Sequence, residues 1–149
     1  MADKSRSASI SIAAPPATVF AIVSDPRQHQ RIDGSGTVQG TVAGPERLEL
    51  GSEFGMSMKM GAPYKIKNRV VEFEPDALIA WRHMGKHRWR YELTPNAAGG
   101  TDVTETWDLT HCGAVMSSAL NAMFGKKTQA GLEQTMVNLK AAAEADAAK

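Results

Sequence analysis

The sequence predicts an α+β domain made of one strand, two short helices, six antiparallel strands and one long C-terminal helix. Three observations carry this. A short alternating segment is stopped by Pro15-Pro16 and followed by a helix-like one, period-two hydrophobicity runs from about residue 36 to 110, and the period changes to 3.6 after Cys112-Gly113.

Ser7 to Ala13 alternates small polar and apolar residues with Ile10 and Ile12 on one face, which makes a first strand. In ATVFAIVSDPRQHQRI, Val19, Phe20 and Val23 share a helical face until Asp25-Pro26 breaks it, and a second short turn carries Gln28 to Ile32. Turn signals at Gly44-Pro45, Gly61-Ala62-Pro63, Glu74-Pro75-Asp76, Met84-Gly85-Lys86 and Asn96 to Gly100 then bound six strands. These fall near 36 to 43, 52 to 60, 64 to 74, 77 to 83, 87 to 95 and 101 to 110. Short links between them argue an antiparallel meander. Met116, Leu120, Met123, Phe124, Leu132, Met136 and Leu139 form a discontinuous helical stripe, loosened by Gly125 and Gly131. A helix over 115 to 145 would be roughly 45 Å long, enough to lie across a whole sheet.

The 149 residues fit one domain over 1–149. Seventeen basic against sixteen acidic residues leave no global field to draw in nucleic acid or anionic lipid. The start MADKSRSASISIAAPP lacks the apolar run of a secretory signal, and no segment approaches the roughly 20 apolar residues of a membrane span. A soluble cytoplasmic protein, monomeric or weakly dimeric and without integral membrane association, is expected. Cys112 is the one cysteine, so it can form no intrachain disulfide and has no companions for a zinc site.

Together with the element order, ISIAAPPATVFAIVSDP, VVEFEPDALIAWR, GGTDVTETWDLT and GLEQTMVNLKAAAE resemble the START-like (SRPBCC) superfamily, which includes polyketide cyclase/dehydrase-like proteins. The resemblance covers Ser9 to Ala143. It implies the helix-grip fold, a seven-stranded antiparallel curved sheet wrapped around the long helix with a ligand cavity between them, and it says little about chemistry because the family binds many ligands.

A sheet gripping one helix sorts each strand by parity. An odd-length loop around Gly85 sets Trp81 opposite Trp89 and His83 opposite His87, with Trp89, Tyr91 and Leu93 inward and Arg88, Arg90 and Glu92 outward. In the last strand Val103, Glu105, Trp107 and Leu109 share the inner face. A bulge near Val70-Val71 reconciles Ile66, Asn68 and Val70 with Val71 and Phe73. Phe54, Met56, Met58 and Met60 then point inward, facing Met116, Leu120, Met123 and Phe124 on the helix. Methionine adapts to ligands of different shape, so this wall reads as a cavity lining or, alternatively, as close-packed core.

Alternating thioethers suit copper(I), yet His83, His87 and His111 come from other segments, so no metal and no cofactor is expected. Glu105 among apolar neighbours is either a desolvated acid with a raised pKa or an ion-paired or Tyr91-bonded carboxylate. His83 and His87 flank a turn, as a solvated tip or as a polar anchor at a cavity mouth. His29 and Asp33, four apart at what the resemblance makes a cavity entrance, read as a surface pair. His111 and Cys112 are adjacent and show no oxyanion feature, so an inert thiol is favoured over a nucleophile. No GxSxG, P-loop, HExxH or GxGxxG occurs. Lys65, Lys67, Arg69, Arg82, Arg88 and Arg90 form an outer basic patch, read as a solvated sheet face, with transient docking to an acidic partner or membrane surface as the alternative.

The expected function is binding or transport of a hydrophobic small molecule, a lipid, polyketide or aromatic compound, with Trp81, Trp89, Tyr91 and Trp107 as stacking surfaces. The alternative is a polyketide cyclase, aromatase or dehydratase acting on a ligand in the same cavity, with Glu105, His83 and Tyr91 as the candidate acids and bases.

Overall fold

Changes of periodicity in the sequence mark element boundaries in the computed structural model, which describes residues 5–82 and 85–149 apart from the side chains of residues 41 and 42. Strand β1 (Arg6–Ile12) is ended by the Pro15-Pro16 pair. Pro16 then opens helix α1 (Pro16–Val23), where its missing N–H costs nothing and its fixed φ is already helical. A 3-10 turn (Pro26–Gln28) follows, capped by the Asp25 carboxylate accepting the Arg27 N–H at 3.0 Å, and leads into α2 (His29–Ile32).

Six strands come next: β2 (Val38–Ala43), β3 (Glu53–Met60), β4 (Ala62–Glu74), β5 (Leu78–Arg82), β6 (Arg88–Pro95) and β7 (Thr101–Asp108). They form one antiparallel curved sheet in the order β1-β7-β6-β5-β4-β3-β2, so the first strand closes beside the last. Gly61 makes the tight β3–β4 turn at φ 77°, a conformation that side chains with a Cβ rarely adopt.

The register carries inward residues across the sheet in rows. Val70 lies opposite Trp81, Trp81 opposite Trp89 and Trp89 opposite Trp107, which puts three tryptophans at one level on adjacent strands. One row further, Tyr91 stands opposite Glu105. The register of β4 against β5 slips between Val70 and Glu72, and this bulge lets both Val70 and Phe73 face inward. On the outer face Glu72 accepts from Arg88 at 2.9 Å and from Arg90 at 3.1 Å, and Lys67 pairs with Glu53 at 3.4 Å, so three of the six bases of the patch are ion-paired with their own neighbours. His83, and with it the pairing against His87, lies outside the described residues.

Helix α3 (Ala114–Ala147) lies across the sheet. Its second half seals a solid core: Met136, Leu139, Ala142 and Ala143 pack with α1 and the β1 end of the sheet around Ile12, Val19, Phe20 and Val103. Its first half is tied to the β1–β7 edge of the sheet. Arg6 donates to Asn121 at 2.6 Å, Gln129 donates to the Ser7 carbonyl at 2.9 Å, and Ser117 donates to the Leu109 carbonyl at 2.9 Å. Gly125 permits this, since a Cβ there would meet the Arg6 guanidinium at 2.7 Å. The molecule is therefore filled at one end and hollow at the other, between the first half of α3 and strands β3 and β4.

Candidate functional site

The hollow end is a cavity of about 330 Å³, within the roughly 300–1,000 Å³ of small-molecule sites. Strand β3 gives its wall a gradient. Phe54 and Met56 are buried, Met58 is half-buried and Met60 is 50% exposed, so the alternation runs from the closed end to the mouth. Trp81, Trp89, Tyr91, Trp107, Leu120 and Phe124 also line it, as the sequence reading expects of a cavity wall. The tryptophans are not loose surfaces: Trp89 stacks on Trp107 at 6.2 Å, and Phe54 meets Trp81 edge to face at 5.6 Å.

Met116 and Met123 depart from the expectation. They are 53% and 73% exposed and lie outside the lining. The inward face of this part of α3 is carried instead by Thr128, Gly131, Leu132 and Thr135, small or polar at three of four positions. The reason is close approach. The loop after α2 rests on the helix, with the Gly34 N–H donating to Thr135 Oγ1 at 2.8 Å, and bulky residues on that face would push the loop away.

Several buried polar groups enter the cavity wall. Glu105 is 5% exposed, its neighbour is the Tyr91 hydroxyl, and its Oε1 has no hydrogen-bond partner among the described residues. Burial pushes its pKa from 4.5 up to about 8. The Tyr91 hydrogen bond pulls the other way without offsetting this, and the charge of Asp33 adds to the rise. Glu105 is thus a mostly neutral acid near pH 7. Tyr91 is pushed well above its ordinary range by burial and by Glu105. Asn68 and Trp107, each 3% exposed, leave Oδ1 and Nε1 without a partner among the described residues. Orphaned buried atoms of this kind are uncommon in a finished core and suit a wall that meets a ligand.

His29 corrects the reading of a surface pair with Asp33. Its ring is 7% exposed, stacks on Trp81 at 4.7 Å with planes 16° apart, and bonds through Nε2 to the Val23 carbonyl at 2.9 Å. A carbonyl only accepts, so Nε2 carries the proton and the neutral ring keeps Nδ1 as an acceptor. Burial drives its pKa down to about 4. Asp33 turns instead to its own loop, where one oxygen accepts from the Ser35 N–H at 3.1 Å and from Ser35 Oγ at 2.7 Å, and the other accepts from the Val38 N–H at 3.0 Å. Asn68 and Thr135 are site residues that sequence reasoning missed, whereas His29, weighed at a cavity entrance, proves part of the wall. Asn68 is visible as an inward polar residue between Ile66 and Val70; Thr135 carries no signal in hydropathy.

Residues 5–144 match the family model described as polyketide cyclase / dehydrase and lipid transport. The chain belongs to this family. Its sequence relatives include uncharacterized proteins from two Mycobacterium tuberculosis strains, each 42% identical over 137 residues, which covers 89% of the chain. The chain spans 61% of the length of those curated relatives. Among solved structures, a Nitrosomonas europaea protein is similar with a TM-score of 0.73 at 15% identity over the full length of both chains. A polyketide-cyclase-like protein of Corynebacterium glutamicum is similar with a TM-score of 0.60 at 23% identity, covering 93% of this chain and 90% of that one. At these identities the two structures speak for the fold, which the family shares; ligand and chemistry rest on the cavity.

Proposed function

We propose that this family member binds one apolar small molecule carrying a polar group, a lipid, polyketide or aromatic compound, in the cavity between sheet and α3, and sequesters or carries it. The observation that supports the reading most directly is the coincidence of a methionine and aromatic wall with buried polar atoms that have no hydrogen-bond partner among the described residues, Glu105 Oε1, Asn68 Oδ1 and Trp107 Nε1. Removal of apolar area from water, about 25 cal/mol per Å² before entropic costs, drives binding, and the orphaned atoms orient the polar group. A near-neutral charge balance supports a small-molecule partner over nucleic acid, and we read the protein as cytoplasmic and monomeric or weakly dimeric.

Native mass spectrometry of the purified protein, followed by solvent extraction, tests this. A retained adduct that leaves into organic solvent is expected. Met58→Glu puts a carboxylate on the half-buried wall and should abolish the adduct while circular dichroism stays native. An adduct unchanged in the folded variant would move the binding site elsewhere.

A second reading has its own observation. Glu105 keeps its proton near neutral pH beside Tyr91, as a general acid acting on a substrate carbonyl must. In this reading the protein is a cyclase, aromatase or dehydratase: Glu105 protonates the carbonyl oxygen and Tyr91 holds the carboxyl in place. Glu105→Gln would then lose turnover and keep binding. Equal turnover in the variant refutes this reading and leaves the binding reading standing.

A further inference from the structure

We propose that the cavity mouth is a docking surface for an anionic lipid bilayer. The inference goes beyond the ligand-binding reading and does not depend on which molecule fills the cavity. Two segments frame the mouth, the β3–β4 hairpin and the first half of α3, and both present large apolar side chains to solvent. Met60 is 50% and Tyr64 40% exposed on the hairpin, and Met123 is 73% and Phe124 37% exposed on the helix. Met60, Tyr64 and Phe124 line the cavity itself, so the exposed side chains belong to one rim. Met123 sits three residues after Leu120 and four before Lys127, both lining residues, which puts it on the adjoining strip of the same helix face.

Charge selects the partner. Lys59 on the hairpin and Lys126 and Lys127 on the helix stand beside this rim, and residues 54–69 and 110–132 contain no carboxylate. The mouth loop adds one negative charge, Asp33, whose oxygens are bonded to Ser35 and Val38, against Lys59, Lys126 and Lys127. The acidic residues of α3 begin past its midpoint at Glu133, and those near its far end, Glu144 and Asp146, are engaged by Lys140 and Arg31. The outer sheet face is also basic, but Glu72 and Glu53 pair with three of its bases and, among the described residues, it presents no apolar rim beside them. A rim of Met, Tyr and Phe with lysines beside it matches the interface of an anionic bilayer, where apolar side chains enter the headgroup boundary and lysines meet phosphates. No helix among the described residues is long and apolar enough to cross a membrane, so the contact is peripheral.

The test is co-sedimentation of the full chain with vesicles of phosphatidylcholine alone or containing about a third phosphatidylglycerol. Partition should favour the anionic vesicles at least tenfold and should fall as salt screens the lysines. The double variant Lys59→Glu, Lys126→Glu should lose about twentyfold or more, at about fivefold for each lysine removed. Neither residue lines the cavity, so the ligand adduct should persist in the variant and separate this proposal from the binding reading. Arg82→Glu on the outer face should change partition less than twofold. Met123→Trp should be quenched by brominated lipid. Three outcomes would overturn the proposal: equal partition into both vesicles; loss with Arg82→Glu matching the double variant; or sedimentation velocity showing a dimer that Met123→Ser dissociates while vesicle partition stays unchanged, which would make a second copy or an acidic protein the occupant of the rim.

Discussion

Glu105→Gln reads out the central electrostatic feature of the cavity without any ligand. In the folded protein the carboxyl keeps its proton to about pH 8, against an ordinary 4.5. Above pH 4.5 the unfolded chain releases a proton that the folded chain retains, so stability falls as pH rises through this window, by 1.36 kcal/mol per pH unit and about 5 kcal/mol in all. His29 works from the other side. Its ordinary 6.5 drops to about 4 in the fold, so the unfolded chain takes up a proton first and stability falls as pH drops from 6.5 toward 4. Between about 4.5 and 6.5 the two slopes oppose each other, and from 6.5 to 8 Glu105 acts without that counterweight. The alkaline limb therefore removes about 2 kcal/mol, or about 4–8 °C in Tm for a chain of this size. Gln is the neutral isostere, and the variant should lose this limb. Urea unfolding followed by tryptophan fluorescence at pH 6.5 and pH 8 measures it, and because all other titrating groups are common to both proteins, the difference between the profiles isolates position 105. Profiles that stay parallel from pH 6.5 to 8 would refute the buried neutral acid.

His29→Phe keeps the ring on Trp81 but leaves the Val23 carbonyl without its donor, so it should cost about 1–3 kcal/mol at pH 7 and flatten the acid limb below pH 6.5, checked by the same titration. Gly34→Ala brings a Cβ to 2.4 Å from the Thr135 backbone nitrogen and 2.5 Å from the Gly131 carbonyl, contacts that only movement of the loop can relieve; calorimetry should show a loss of about 1–3 kcal/mol. Gly131→Ala makes only an ordinary 3.4 Å contact with Ser35 Cβ and replaces a helical glycine, so Tm should stay or rise, by up to about 1 kcal/mol of stability.

The sheet was legible because a strand sorts its side chains at a period of two and one face of this sheet is enclosed, which fixes parity and, through the odd loop at Gly85, sets Trp81 against Trp89. The same logic placed Glu105 and Tyr91 on one face before any coordinates. The helix was read with the matching assumption that its apolar stripe points in, and here the physics differs. A helix packed on a solid core needs an apolar stripe, and residues 132 to 143 obey it with Leu132, Met136, Leu139, Ala142 and Ala143. A helix standing off a hollow needs room for the loop that closes it, and Gly131 and Thr135 supply that room without any hydrophobic signal. His29 escaped for a related reason: the 3-10 turn at Pro26–Gln28 rolls a four-residue helix until its histidine reaches Trp81, an orientation set by tertiary packing rather than by i, i+4 spacing. Met116 and Met123, assigned to the interior by their hydropathy, are thus apolar residues with no interior to fill. Their exposure beside a rim of Met60, Tyr64 and Phe124 gives the departure on the helix and the docking surface one origin: in the first half of α3 Leu120 and Phe124 face the cavity, while Met116 and Met123 are turned toward what lies outside it.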